Sequence, residues 1–221
     1  MSNSKVARTQ FFSLLEEVAG KLRLFEAPRA SVAYWKKLKL YNDAAEVYES
    51  LGGRERYIPF ICQTDLMVTD SHLVILDEDL SYNRYRSKTL RNQVYDNLPG
   101  AQPDHLRRYC RQYESECMKA GMRHDLWTSP EAEAHFGEAS DPGEFYGTGA
   151  SGWKLRAFTE HITDIMSLYS GTPVIRFSVY DNLMVEGRIL QVRDLLMTSA
   201  DERYPEFLKS YMKRKLETVS A

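Results

Sequence analysis

Carboxylates stand near the ends of two neighbouring apolar segments. Asp65 lies near the end of the first segment, residues 57–68, and Asp77 and Glu78 close the second, residues 72–76. Two or three carboxylates within a few ångströms of one another bind Mg²⁺ or Mn²⁺, which favour oxygen ligands. An ion of this kind activates water for attack on a phosphodiester. The pattern therefore predicts a metal site in which Asp65 and Asp77 hold the ion and Glu78 assists.

A run of basic side chains follows these acids directly. Guanidinium groups bind phosphate oxygens through paired hydrogen bonds, and tyrosines between them can stack on bases. The run therefore predicts that the protein binds the phosphates of a nucleic acid, and DNA is the partner that we expect. The alternative is structural: the arginines neutralise the acids and the tyrosines pack. The basic residues are Arg84, Arg86, Lys88 and Arg91, interleaved with Tyr82, Tyr85 and Tyr95.

A small sheet and several helices must position these side chains. The short turn at residues 69–71 predicts an antiparallel hairpin. The strand after it, residues 73–76, is apolar throughout, which predicts a central place in the sheet. A third strand is predicted at 173–180. Helices are predicted at about 6–24, 30–51, 86–95, 104–120, 130–135, 153–169, 188–197 and 201–217.

The fold class that follows is α/β in the α+β sense, a small mixed central sheet flanked by helices. The length of 221 residues fits one domain. Within it we expect a helical part at 1–55, an α/β core from 56–100 and 153–182, a helical and loop insertion at 103–152, and C-terminal helices at 186–221. Residues 147–152 contain three glycines, which indicate a hinge or a close approach of backbone to a ligand.

Composition narrows the partners and the compartment. The net charge is −2, so only a local basic patch could attract a nucleic acid. No apolar run reaches the roughly 18 residues of a membrane helix, and no apolar signal segment opens the chain. The three cysteines fit reduced thiols. We therefore expect a cytoplasmic protein that does not enter membranes.

Two blocks of sequence resemble a known family. They are V-I-L-D-E-D-L-S-Y-N-R-Y-R at 74–86 and W-K-L-R-A-F at 153–158. With the order of elements around it, the first block resembles the PD-(D/E)XK restriction-endonuclease-like superfamily, particularly its very-short-patch-repair-like branch. It is also similar to uncharacterised bacterial proteins with an ELDEExHFNRYR-type block. The resemblance covers residues 58–95 and, more loosely, 105–180.

This resemblance implies a restriction-endonuclease-like core with helical additions and a Mg²⁺- or Mn²⁺-dependent nuclease. Asp65 matches the first aspartate of the family pattern, and Asp77 matches the Asp of Glu-x-Asp. Glu17 or Glu16 matches a helical glutamate that adds a metal ligand. Lys154 matches a displaced lysine that stabilises charge or orients water. Arg156, from the second block, joins the nucleic-acid-binding set.

Two positions depart from the pattern of the family. Ile75 stands where glutamate is expected, and Ser81 stands where histidine is expected. A missing metal ligand and a missing base each weaken stabilisation of the transition state. The alternative is therefore a catalytically inactive member of the same fold that serves as a protein-interaction or defence-associated module.

A zinc site and a helical histidine complete the candidates. Cys110 and Cys117 are seven residues apart and share a helical face, and His124 and His135 follow. They could form a Cys₂His₂ site, although structural zinc sites use closer cysteine pairs, and two buried helical cysteines are the alternative. His161 lies on the predicted helix at 153–169, where an exposed side chain is the default expectation.

Overall fold

The structure is a computed structural model that describes residues 3–25, 32–37, 39–55, 58–63, 66–197 and 203–220. Its contacts divide the chain into two compact units, each assembled from separate stretches of sequence. The first unit comprises Met1–Glu26, Asp65–Glu78 and Thr172–Ala221, and the second comprises Ala27–Thr64 and Asp79–Gly171. The region 56–100, which we expected to lie within one α/β core, is divided between the two units: residues 65–78 belong to the first, and residues 56–64 and 79–100 belong to the second.

Helices and strands of the described residues are numbered in chain order. The helices are α1 (Asn3–Ala19), α2 (Val32–Lys37), α3 (Leu40–Ser50), α4 (Arg84–Thr89), α5 (Pro103–Gln112), α6 (Glu114–Gly121), α7 (His124–Trp127), α8 (Pro130–Phe136), α9 (Ser151–Ser170), α10 (Val192–Met197) and α11 (Tyr204–Ser220). The strands are β1 (Arg23–Leu24), β2 (Met67–Val68), β3 (Leu73–Asp77), β4 (Val174–Ser178), β5 (Asn182–Val185) and β6 (Arg188–Gln191).

The first unit is built on a mixed sheet in the order β1-β2-β3-β4. The predicted hairpin is confirmed, since β2 pairs antiparallel with β3. All five residues of β3 are buried, which confirms its central place. Strand β4 pairs parallel with β3, so that Ser178 lies opposite Asp77. Together with the helices around it, this sheet confirms the α+β class.

Apolar packing holds this sheet to its helices. Leu66, Leu73, Ile75 and Val174 form one buried cluster, against which Phe25 packs. Helices α1, α10 and α11 pack on one another, and α11 also contacts β4 and β5. Burying each of these large apolar side chains stabilises the fold by about 1.5–3 kcal/mol.

The predicted helix at 188–197 is wrong in its first turn. Residues Arg188–Gln191 form β6, which pairs antiparallel with β5, and only Val192–Met197 is helical. Glu186 and Gly187 both have positive φ, at 49° and 79°. Two consecutive residues of this kind make a tight hairpin turn whose twist suits the flanking strands.

The described part of the second unit consists of helices and short 3₁₀ turns. Helix α9 lies at its centre, in contact with α3, α4, α7 and α8. Two predicted helices are broken. Residues 30–51 are interrupted at Lys39, whose φ is 63°, and residues 104–120 are interrupted at Tyr113, whose φ is −113°. The helix predicted at 86–95 begins at Arg84, ends at Thr89 and is followed by a 3₁₀ turn over Gln93–Asp96.

Tyr85 holds the glycine-rich stretch in front of α9. Its hydroxyl accepts a hydrogen bond of 3.1 Å from the Ala150 N–H. Gly149 has a φ of 69°, and a Cβ added there would lie 2.1 Å from the same hydroxyl. The backbone at residues 149–150 does approach another group closely, as the glycines indicated. That group is the Tyr85 side chain.

The described helices do not include one long and apolar enough to cross a membrane.

We predict that Gly149→Ala destabilises the protein more than Gly171→Ala does. Gly171 has nearly the same φ, 68°, but has nothing within 4 Å of an added Cβ. Both substitutions incur about 1–2 kcal/mol of left-handed backbone strain. Gly149→Ala adds about 1–3 kcal/mol for the clash with Tyr85. Urea unfolding of the two variants measures the difference, and equal losses would contradict the packing described.

Candidate functional site

Asp77, Glu78 and Glu17, three of the described acids that the sequence singled out, lie in the first unit beside a basic side chain, whereas Glu16 accepts a hydrogen bond of 3.2 Å from the Leu22 N–H. Asp77, at the end of β3, is buried, and its Oδ1 lies 2.5 Å from Nη1 of Arg176. Arg8 approaches Glu78 at 3.5 Å. Lys209 approaches Glu17 at 2.7 Å. Asp65 lies outside the described residues. The negative charges of Asp77, Glu78 and Glu17 are therefore compensated within the unit.

A further carboxylate, Asp181, was missed by the sequence analysis. Because β3 and β4 are parallel, their carboxyl ends share one edge of the sheet, and Asp181 follows the end of β4 by three residues. Lys215 Nζ donates to its Oδ2 at 2.8 Å, and the Ser178 N–H donates at 3.2 Å. The Tyr211 hydroxyl also donates to this oxygen. The available signal was a polar Tyr-Asp-Asn sequence at the end of a strand.

The surroundings of Asp181 favour its ionised form. Burial by itself would raise the pKa of this carboxyl, but Lys215 and the hydrogen bonds outweigh burial and lower the pKa. Asp181 is thus a second carboxylate held by a cation at this edge of the sheet. Among the described residues, no three His, Cys, Asp or Glu side chains are grouped so that they could hold a metal ion.

Arg86 lies in the interior of the second unit. Its Nη2 is 2.6 Å from Oδ2 of Asp164, and its Nε is 3.2 Å from Oε2 of Glu160. The side chains of all three residues are at most 3% exposed. The Tyr95 hydroxyl accepts from Arg86 Nη1 at 3.0 Å and donates to Asp164 at 2.9 Å. The guanidinium group thus binds buried side chains. The prediction that Arg86 binds phosphate at the surface is therefore wrong.

Ser81 and Arg156 extend this interior network. The Ser81 hydroxyl donates to Oε1 of Glu160 at 3.0 Å, and Arg156 Nε lies 3.2 Å from the same oxygen. The end of the 74–86 block and the 153–158 block therefore converge on one buried carboxylate. Two ion pairs and a hydrogen bond give a physical reason for the two blocks to occur together.

His161 is completely buried, so the expected exposed position is wrong. Helix α9 is covered by several helices, and little of its surface remains for solvent. The Nδ1 atom lies 3.1 Å from the Tyr95 hydroxyl. Burial lowers the pKa of His161 to about 3; Asp164 opposes this shift and Arg86 adds to it. The imidazole is therefore neutral at physiological pH.

Arg84 and Arg91 lie towards solvent. Arg84 binds Glu114 through two hydrogen bonds, of 2.8 and 3.0 Å, which raise the pKa of the guanidinium. The same guanidinium lies 3.5 Å from the centre of the Phe145 ring. Arg91 is exposed. Both arginines were predicted to bind nucleic acid. Arg84 is paired with Glu114, whereas the side chain of Arg91 is exposed to solvent.

Three cations, Arg54, Lys88 and Lys154, form what we call the basic cluster. Lys88 Nζ donates to the Ser50 carbonyl at the end of α3. Lys154 Nζ lies 3.6 Å from the point that a Cβ on Gly52 would occupy, and 5.6 Å from the centre of the Tyr85 ring. Both ammonium groups therefore lie at the carboxyl end of α3, where the helix dipole favours cations.

Arg54 belongs to the same turn of the chain, and its guanidinium packs on Gly137. Burial, together with the charges of Lys88 and Arg54, lowers the pKa of Lys154. Only 8% of Lys154 is exposed, whereas Lys88 and Arg54 are exposed. Within the described residues, none of the three forms an ion pair with a carboxylate. The basic cluster is thus a local excess of positive charge in a chain of net charge −2.

The four residues of the alternative zinc site are not brought together. Cys110 and Cys117 are buried thiols, and Cys117 packs among Trp127 and Trp153. Burial raises the pKa of Cys117 to about 12, which disfavours the thiolate that zinc requires. His124 is exposed at the start of α7. The His135 Nδ1 lies 3.3 Å from the Tyr48 hydroxyl.

In a comparison with protein families, residues 46–198 match the family of unknown function DUF7255. No curated protein matches the chain. No solved structure matches it either.

We predict that breaking the buried ion pairs destabilises the protein far more than breaking the exposed pair on the same helix. Arg86→Gln should lower the free energy of unfolding by about 3–5 kcal/mol, because it leaves buried carboxylates uncompensated. Arg84→Gln removes the same charge from α4 but should cost at most about 1 kcal/mol. Urea unfolding at neutral pH provides both values. Similar losses in the two variants would place Arg86 outside the interior.

A second prediction concerns acid stability. An unfolded His161 takes up a proton near its ordinary pKa of 6.5, whereas the folded protein resists protonation until about 3. The unfolded state therefore binds more protons between these values, and stability falls as the pH falls through this window. The slope from this one group is about 1.4 kcal/mol per pH unit.

The comparison of wild type with His161→Asn isolates that slope. Between pH 6.5 and 4, the variant should lose less stability than the wild type does, because it lacks the buried imidazole. His124→Asn serves as the control, since His124 is exposed. Parallel pH profiles for wild type and His161→Asn would show that the imidazole is accessible to protons in the folded protein.

Proposed function

Since the chain belongs to DUF7255, a family whose function is unknown, we propose its function from geometry: the protein binds the phosphodiester backbone of a nucleic acid through the basic cluster. The observation that carries this proposal is Lys154, a nearly buried ammonium group with two cations beside it and no carboxylate ion pair among the described residues. Such an arrangement repels itself unless an anion compensates it.

The chemistry of the three side chains suits phosphate. Guanidinium groups bind two phosphate oxygens at once, and ammonium groups act as point charges with several donors. Arg54 and Lys88 are exposed, so a backbone phosphate could reach them without rearrangement of the fold. Arg91, one turn beyond Lys88, is exposed as well and would extend the contact along the chain of phosphates.

Two sequence predictions concern the same partner. Lys88 and Arg91 belonged to the predicted nucleic-acid-binding set, and Lys154 was predicted to stabilise charge on a phosphodiester. The described acids of the first unit are less suited to binding a Mg²⁺ or Mn²⁺ ion than the basic cluster is to binding phosphate. Arg176 holds Asp77 and Lys215 holds Asp181, so both carboxylates already have cationic partners within the unit. We therefore derive no hydrolytic step from this edge of the sheet.

Hydrolysis at Asp65 and Asp77 stays a prediction with a direct test. A nuclease assay with Mn²⁺ compares the wild type with Asp77→Ala, and metal-dependent cleavage in the wild type alone would support it. If the protein does not bind nucleic acid, the alternative remains, namely a catalytically inactive protein-interaction or defence-associated module.

We predict that charge removal in the basic cluster weakens nucleic-acid binding. Fluorescence anisotropy with labelled single- and double-stranded DNA and RNA gives Kd over a range of salt concentrations. Lys88→Gln and Arg54→Gln should each raise Kd about 3- to 10-fold for all sequences and reduce the salt slope by about 1. Lys213→Gln removes an exposed lysine from α11 and is the matched control. Equal effects of Lys88→Gln and Lys213→Gln would mean that only net charge matters.

A further inference from the structure

We propose that Lys154 is a nucleophilic amine that condenses with an aldehyde carrying a phosphate group. This inference rests on the proposed function, because the phosphate would be held by Lys88 and Arg54 of the same basic cluster. It adds a covalent chemistry and a ligand class to that cluster. Lys154 would be the reacting group, and the other two cations would hold the ligand.

The position of Lys154 separates it from an ordinary surface lysine. Its neighbours are the Tyr85 ring, the backbone at Gly52 and two cationic side chains. A lysine acts as a nucleophile when it is desolvated or placed next to another cation, because both conditions disfavour the ammonium form. Both conditions hold at Lys154. Its lowered pKa follows from the same surroundings and increases the fraction of free amine near neutral pH.

The amine is buried but not sealed. Gly52 is exposed, and among the described residues other than its two chain neighbours, Lys154 Nζ is the one heavy atom within 4 Å of the point where its Cβ would lie. Within the described part of the chain, only the amine therefore occupies the space over Gly52. A small carbonyl group can approach across this glycine, whereas a side chain there would stand between it and the amine.

The reaction requires only groups that the proposal names. The lone pair of the neutral Lys154 amine attacks the aldehyde carbon, the two hydrogens of the amine nitrogen are transferred to the carbonyl oxygen, and the carbon–oxygen bond breaks as that oxygen leaves as water. A carbon–nitrogen double bond replaces the carbon–oxygen double bond, and no oxidant or reductant is consumed. Lys88 and Arg54 neutralise the phosphate and hold the aldehyde near the amine, which raises its effective concentration.

An aldehyde beside a phosphate can come from two sources. One is a small phosphorylated aldehyde, and the other is the open-chain sugar of an abasic site, which carries backbone phosphates on both sides. The chemistry that Lys154 would recognise is the same in both. The two sources differ in size, and the experiment therefore includes one arm for each.

The test uses the full-length wild-type protein and reduction by borohydride, which converts an imine into a stable amine. One arm uses pyridoxal 5′-phosphate, and the other uses a labelled DNA oligonucleotide with one abasic site. Peptide mapping by mass spectrometry measures the labelling rate of each lysine. We expect Lys154 to react at least about 10-fold faster than Lys119, whose side chain is 78% exposed. Inorganic phosphate should slow the labelling of Lys154 alone.

An equal or slower rate at Lys154 would overturn the proposal, and this result needs no variant. A labelled Lys154 in either arm supports it, and the arm that reacts identifies the source. Lys154→Arg should abolish the fast phase while Lys119→Arg leaves it unchanged, with circular dichroism confirming that each variant folds. Pyridoxal without its phosphate reports on the role of Lys88 and Arg54. If it labels Lys154 as fast as the phosphorylated compound does, the phosphate requirement is refuted.

Failure of this inference can be distinguished from failure of the proposed function. Intact DNA without an aldehyde tests only binding to the basic cluster, and Lys88→Gln reports on that binding. If intact DNA binds through the cluster while Lys154 stays unlabelled, the covalent step is refuted and the binding function stands. If Lys154 is labelled by the small aldehyde but intact DNA does not bind, the nucleic-acid function is refuted, and the imine chemistry belongs to a small ligand.

Discussion

The ion pairs of Arg86 with Glu160 and Asp164 are the constraint on which the second unit depends. Removing one positive and two negative groups from water costs several kcal/mol for each ion, and only close mutual contacts recover it. Here the contacts are 2.6 and 3.2 Å, and Tyr95, Ser81 and Arg156 provide further polar neighbours. The network therefore holds α4 and the turn before it against α9, because separating them would leave these buried charges without their partners.

This constraint also explains why the first turn and the middle of α9 differ in character. Glu160, His161 and Asp164 lie in its middle, in a network where acids and bases balance. Lys154 lies in its first turn, beside Lys88 and Arg54, and has no acidic side chain as a partner among the described residues. The contrast within α9 is the reason that our proposal places an external anion at the basic cluster.

Local patterns in the sequence were sufficient to predict the hairpin of β2 and β3 and the buried centre of the sheet. The continuous apolar run of β3 and the short turn before it act over a few residues. Three features required distant parts of the chain. The parallel pairing of β3 with β4 joins residues about 100 apart and places Asp181 at the same edge as Asp77. The burial of Arg86 depends on carboxylates more than 70 residues away. The break at Lys39 reflects a left-handed residue that propensity alone does not mark.

The two departures from the nuclease-like pattern have structural roles in this chain. Ile75 belongs to the apolar cluster under the sheet, where a glutamate would bury an uncompensated charge. Ser81 donates to Glu160, an interaction that a larger imidazole would displace unless the network were rearranged. At both positions the residue present serves packing or the ion network. Since Asp77 and Asp181 are held by Arg176 and Lys215, the phosphate binding that we propose rests on the basic cluster of the second unit and not on the acids of the first.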